Sequence, residues 1–266
     1  MRKFCVSSTY LRLDMNRFFL EVAYDGIAFH GSQIQGSLPT VQLFIDKALS
    51  ILLKQATNSF GASRTDGGVH ALSSFYHFDT DKSLGEQFLY KLNCILPEHI
   101  SVRTIYQCEG TLMNARFDAI SRTYRYRIYT SKNPFKINRA HYYPFKINRA
   151  LLDEMAREIM YHQHFESFSK RNTQSHTFLC KITESYWQET EDELHYVVTA
   201  NRFLRGMVRG LVSTQLQHSR KGSLQSFIDI IQSNDCTNAD FSVPGYGLYL
   251  EKIVYPEGTL KCIQSI

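Results

Sequence analysis

Apolar positions along this 266-residue chain fall into short runs with two alternating periods. Residues 17–24 (Arg-Phe-Phe-Leu-Glu-Val-Ala-Tyr) make a strand-length run that Asp25-Gly26 ends. Thr40 then precedes Val41, Ile45, Ala48, Leu49 and Leu52, which share one face of a helix running to about Lys54. Short strands are predicted near 57–62 and 72–79. A helix follows from Leu84 to Ile95, stopped before Pro97, and then a strand over 100–108. The second half repeats that order. Residues 122–130 alternate Arg with Tyr and Ile, as a strand with one polar face does. Asn148 can cap a helix through Leu151, Leu152, Met155 and Ile159. A hairpin is predicted over 178–189 and 193–200, then a helix from about 202 to 217, a shorter one near 223–232, and a closing strand over 246–255.

Each half therefore reads β-α-β-β-α-β, the split βαβ or ferredoxin-like arrangement of an α+β protein. Two such halves, 1–112 and 113–266, can set their antiparallel sheets side by side and leave a central cleft. Residues 1–15 read as a loosely tied arm. No apolar run approaches the roughly 18–20 residues that cross a membrane, and the basic N-terminus develops no apolar signal core. A cytoplasmic location is expected, with no membrane partner. The six cysteines show neither CxxC spacing nor the density of a disulfide framework, so they are expected to be buried free thiols.

Net charge is only +5, but it is segregated. Residues 116–149 hold nine basic residues against Asp118, and residues 202–221 hold five basic residues and no acid. The rest of the chain is net acidic. Two basic runs on an acidic chain suit a polyanion partner. One oddity lies in the first run: Pro-Phe-Lys-Ile-Asn-Arg-Ala occurs at 134–140 and again at 144–150. A single seven-residue repeat is too short to define a repeat fold.

Three segments carry candidate chemistry. Gly61-Ala-Ser-Arg-Thr-Asp-Gly-Gly-Val-His-Ala71 surrounds a charged Arg-Thr-Asp core with glycines, which suits a tight loop presenting a carboxylate. An ordinary Asp-Gly turn fits the same pattern. In the strand Arg122-Thr-Tyr-Arg-Tyr-Arg127, Arg122, Tyr124 and Tyr126 share a face that could stack bases and pair phosphates. A half-buried aromatic strand would look the same. In the helix expected from about residue 202, the arginines Arg202, Arg205 and Arg209 form a purely basic stripe opposite Phe203, Leu204, Met207, Val208 and Leu211. Gly206 and Gly210 weaken that helix, as if something approached its backbone closely.

Together these segments resemble the family of transfer RNA pseudouridine synthases whose bacterial members modify the anticodon stem–loop, the TruA family. The resemblance rests on Tyr24-Asp25-Gly26, Phe29, Gly31, Gln33, Gln35 and Thr40-Val41-Gln42. It continues through Arg64-Thr65-Asp66 with Gly68-Val69-His70-Ala71, and through Ala115-Arg116-Phe117, Arg122, Tyr124 and Tyr126. It closes with His162 to Phe168, Phe203-Leu204, Met207-Val208-Arg209, Pro244, Gly247-Leu248 and Leu250. Ser32 stands where the family usually has tryptophan, and Ser63 and Gly67 stand for glycine and alanine. The resemblance implies the pseudouridine synthase fold and an isomerase that uses neither cofactor nor metal. It implies Asp66 as nucleophile, with Arg64 and Arg209 beside it. Tyr124 would stack on the target base and relay a proton, and Leu248 would line the same pocket. Arg122, Arg202 and Arg205 would bind the RNA. It also implies a homodimer with transfer RNA as substrate. Two other readings stay open: an RNA-binding protein without catalysis, and a carboxylate-dependent hydrolase, for which Asp25 is the nearest second carboxylate.

Overall fold

The computed structural model describes residues 15–109, 113–171 and 177–266. The expected arm and the boundary near 112 lie outside the described residues almost entirely. The first half runs β1 (Asn16–Tyr24), α1 (Val41–Leu53), β2 (Phe60–Gly61), β3 (His70–Thr80), α2 (Phe88–Ile95) and β4 (Ile100–Cys108). The second runs β5 (Ser121–Tyr129), β6 (His141–Tyr142), α3 (Arg149–Ile159), β7 (Ile182–Glu189), β8 (Leu194–Ala200), α4 (Met207–Lys221), α5 (Leu224–Ser233) and β9 (Leu248–Val254). A last strand, β10 (Leu260–Ser265), follows.

Among the described residues, ten strands join one sheet in the order β10-β4-β1-β3-β9-β5-β8-β7, with β2 on β3 and β6 on β5. Both halves keep the split βαβ strand order, and β3 and β9 join them in parallel at only two pairs, His70–Tyr249 and Ala71–Leu250. β10 was not foreseen. It crosses back to pair with β4 at the far edge of the first half, so the halves do not separate cleanly at residue 112.

Local signals place the helices. Thr40 caps α1 by accepting the Leu43 N–H at 3.4 Å, and Lys54 ends it in a left-handed conformation at φ 52°. Val41, Ile45, Ala48, Leu49 and Leu53 are the buried face of α1, each contributing roughly 1.5–3 kcal/mol where the side chain is large. Asn148 caps α3 as read, through the Leu151 N–H at 3.2 Å. The helix expected from Arg202 instead begins at Met207, because Gly206 takes a left-handed φ of 78° and turns the chain first. Cys180 is buried, but Cys94 and Cys262 are exposed, which corrects the uniformly buried thiols expected.

The alternation of β5 is borne out. Arg122, Tyr124, Tyr126 and Ile128 are buried on the helix-bearing face. Arg125 and Arg127 point to the other and pair with Glu251 at 2.6 Å and Glu193 at 2.7 Å. The basic run 116–149 is therefore largely neutralised from within. Besides those two, Lys136 meets Asp192, Arg139 meets Asp25 and Arg149 meets Asp153. Arg116, Lys132 and Lys146 remain as the run's candidates for contact with an outside polyanion.

Glu193 is nearly buried and receives Arg127, Lys136 at 3.1 Å and His195 at 2.7 Å. Burial acts to raise its pKa, but hydrogen bonds from Arg127, His195 and Lys136 outweigh it and hold it at about 2. A depressed carboxylate contributes stability above its unfolded pKa and loses it as pH falls through the folded value. Glu193→Gln is expected to cost about 1.5–3 kcal/mol at neutral pH. Urea unfolding should show that gap closing as pH falls from roughly 4.5 towards about 2. Equal stability of the two proteins at pH 7 would show that these pairs contribute nothing.

Candidate active site

Asp66 sits in the loop between β2 and β3, and neighbours from both halves grip that loop. Ser32 donates its N–H to the Thr65 carbonyl (3.1 Å), accepts the Thr65 N–H on its hydroxyl (2.9 Å) and donates that hydroxyl to the Ser63 carbonyl (3.3 Å). The Tyr24 and Thr65 hydroxyls share a hydrogen bond of 2.9 Å. The serine that departs from the family pattern thus ties the loop down. A Cβ on Gly26 would lie 2.0 Å from the Val69 carbonyl oxygen, and one on Gly245 would lie 2.6 Å from that of Gly67. Only glycine permits both approaches.

The loop leaves the Asp66 carboxylate partly exposed, with three cations facing it. Arg209 Nη1 lies 3.4 Å from Oδ2, Lys170 Nζ 3.6 Å from Oδ2, and Arg205 Nε 4.0 Å from Oδ1. Arg209 is the most constrained. Its Nε donates to the Val243 carbonyl at 2.8 Å and its Nη2 to that of Phe241 at 3.4 Å. The turn at Gly206 brings Arg205 and Arg209 to the carboxylate from two different elements, which a single basic stripe did not foresee. Gly210 is the close approach that its sequence position suggested, since a Cβ there would lie 2.7 Å from the Phe241 ring. Lys170 was missed. It has no periodic or motif signal of its own, and its backbone N–H is anchored on the Arg205 carbonyl at 3.0 Å.

Residues 155–256 match the family model described as tRNA pseudouridine synthase. A tRNA pseudouridine synthase A of Parabacteroides distasonis is 37% identical over 246 residues, covering 91% of this chain and 97% of that protein. The chain belongs to the tRNA pseudouridine synthase family. Proteins of the same name from Bacteroides thetaiotaomicron and Bacillus subtilis are 39% and 34% identical, covering 91% and 88% of this chain and 92% and 97% of their own lengths.

In this synthase, Tyr124 is buried beside the carboxylate and meets Phe203 edge to face at 5.0 Å. Burial pushes its phenol above the usual range, and the Asp66 charge adds to that. Leu248 opens β9 opposite Tyr126, so it lies on the same sheet face as Tyr124. The remaining arginines stand apart from Asp66. Arg64 is exposed and approaches Arg116, whose guanidinium pKa is lowered by burial first and then by Arg64, Arg122 and Arg202. Arg122 departs most from expectation. It is buried and donates to the carbonyls of Asn201 (3.0 Å), Ala62 (3.2 Å) and Arg116 (2.5 Å), so its donors are spent inside the protein rather than offered to RNA. Asp25, the carboxylate that the hydrolase reading needs, is held by Arg139 beside a separate cavity of about 460 Å³.

Proposed function

We propose that Asp66 is the carboxylate with which this synthase isomerises uridine to pseudouridine in transfer RNA. The observation that carries this reading is a partly exposed carboxylate on a doubly clamped loop, faced by Arg209, Lys170 and Arg205. The reaction breaks the N1–C1′ bond, turns the base and joins C5 to C1′. The C5 proton leaves and N1 gains one, so nothing is oxidised or added. Asp66 can attack the sugar or the base, or accept the C2′ proton. Arg209 meets the carboxylate through Nη1, with its Nε and Nη2 donors fixed on backbone carbonyls. Tyr124 and Leu248 offer the flipped base a surface, and unstacking that base costs a few kcal/mol. Arg64, Arg116 and Arg202 lie close together with no ion-pair partner among the described residues, which suits phosphates, and Arg122 is fixed beside Arg116 through its carbonyl contacts.

The target is proposed to be the anticodon stem–loop, the site of action the cytoplasm and the active form a homodimer. All three rest on the family resemblance. Light scattering that returns the mass of one chain would remove the dimer. Release of tritium from transfer RNA carrying 5-³H-uridine, with the nucleoside still intact, is the expected outcome. Free uracil would instead mean hydrolysis, and binding without release would mean a non-catalytic RNA-binding protein.

Tyr124→Phe keeps the ring and its contact with Phe203 but removes the hydroxyl. A proton relay predicts a fall of roughly 10²-fold in kcat, within the range for general acid–base groups, and little change in tRNA affinity. An unchanged rate would leave Tyr124 only its packing role.

A further inference from the structure

β10 pairs with β4 at five positions on the far edge of the sheet, but beside the site the halves share a β3–β9 ladder of only two residue pairs, against eight between β3 and β1. That seam begins at His70, four positions after Asp66. Asp66 belongs to one half, while Arg209, Arg205 and Lys170 belong to the other. Their separations of 3.4–4.0 Å are therefore set by how the halves sit across a narrow joint.

A group of side chains braces that joint. His70 is buried, and its ring stacks on Tyr249 at 4.6 Å and 16°. Its Nδ1 accepts the Gly26 N–H at 3.2 Å, and its Nε2 donates to the Asn138 carbonyl at 3.1 Å. Burial lowers the His70 pKa, in keeping with a neutral ring that bonds in this way. Arg139 grips Asp25 with both Nη atoms, at 3.0 and 2.8 Å. The Tyr249 hydroxyl donates to the Arg139 carbonyl at 2.7 Å. Asp25, Gly26 and His70 come from the first half; Asn138, Arg139 and Tyr249 come from the second. The brace also reaches the loop directly, because the Gly26 carbonyl accepts the Gly68 N–H at 3.2 Å.

We propose that Asp25, His70 and Arg139 are positioning residues that fix the two halves across the seam and so hold Asp66 against its cations. This rests on the reading of Asp66 as the reacting carboxylate. The Arg139–Asp25 pair lies at a partly exposed rim, where an ion pair contributes little to global stability. A displacement of about 1 Å at a reacting group can nevertheless cost up to 10²-fold in rate. The brace therefore acts on turnover more than on folding or binding.

The test compares wild type with Arg139→Ala, Arg139→Lys, Asp25→Asn and the Asp25→Asn/Arg139→Ala double variant. Arg139 is about half exposed, so Arg139→Ala should fold. The expected result is a fall of roughly tenfold in kcat, with KM for transfer RNA within about twofold. Arg139→Lys should recover part of the loss. The double variant should lose less than the two single losses combined, since both remove the Arg139–Asp25 contact, while Asp25 also meets His70 Nδ1 at 3.1 Å and the Ile27 N–H at 3.2 Å. Amide exchange over residues 67–72 should speed up in Arg139→Ala. Tyr249→Phe, which keeps the stack and removes one bond, should move kcat and exchange the same way by less. Unchanged kcat in Arg139→Ala, a loss confined to KM, additive losses in the double variant or unchanged exchange would each overturn the brace. Exchange needs no turnover. If wild type released no tritium, the proposed role of Asp66 would fail while exchange still decided whether the seam is braced.

Discussion

Asp66→Asn is expected to lower tritium release at least about 10⁴-fold, the scale on which loss of an enzymic nucleophile is felt. Asparagine keeps the shape of the side chain and removes both its charge and its basicity. None of the routes open to Asp66 survives that change, whether attack on the sugar, attack on the base or proton abstraction. Binding should move the other way. Without the carboxylate, Arg209, Lys170 and Arg205 lose the anion they share. Transfer RNA should therefore bind as well as before or more tightly, most visibly at low salt. Asp66→Glu keeps the charge but moves it out by one methylene, and should still lose about 10²-fold through misplacement. More than about 1% residual turnover in Asp66→Asn would remove Asp66 from the centre of the reaction, given the fall expected for a nucleophile.

Arg209→Lys should cost roughly 10²-fold in kcat, equivalent to about 2.7 kcal/mol. The guanidinium makes three directed contacts: Asp66 at 3.4 Å, the Val243 carbonyl at 2.8 Å and the Phe241 carbonyl at 3.4 Å. An ammonium on a flexible stem cannot hold that geometry, although it keeps the charge. The affinity for transfer RNA should therefore change little while turnover falls. The Phe241 segment lies directly on α4 at Gly210, so the carbonyls that orient Arg209 are themselves fixed. Full turnover of Arg209→Lys would end this assignment. A loss in binding alone would make Arg209 a phosphate contact.

Much of the site was readable before any coordinates. The Arg64-Thr65-Asp66 motif singled out the carboxylate, and Arg64 and Arg209 were named for it; Arg209 faces it as read, whereas Arg205, named for RNA binding, faces it in place of Arg64. The placing of Arg205 was misread, because helical spacing was extended back to Arg202 across a left-handed Gly206. Lys170 could not be read at all. A lone lysine carries no period, and only the turn after β8 brings the Arg205 backbone to it. Arg122 erred in the other direction. Its place on the tyrosine face was right, but the carbonyls that absorb its donors come from residues 6, 60 and 79 positions away.

The duplicated heptapeptide separates the two kinds of information. In its first copy, Pro134–Lys136 form a 3-10 turn, Asn138 is left-handed at φ 60° and Arg139 reaches Asp25. In its second copy, Asn148 is extended and caps α3, and Arg149 pairs with Asp153 one turn on. Identical residues fold differently because His141-Tyr142 continues the first copy as a strand on β5, whereas Leu151, Leu152 and Met155 continue the second with helical spacing. Caps, turns and periods act over a few residues, so the chain spells them out, and with them the doubled β-α-β-β-α-β order. Asp66 meets Arg209 across 143 positions, and Asp25 meets Arg139 across 114. Such pairs form only once one sheet has joined both halves, because charge acts through space and the sheet's strand order decides which charges become neighbours.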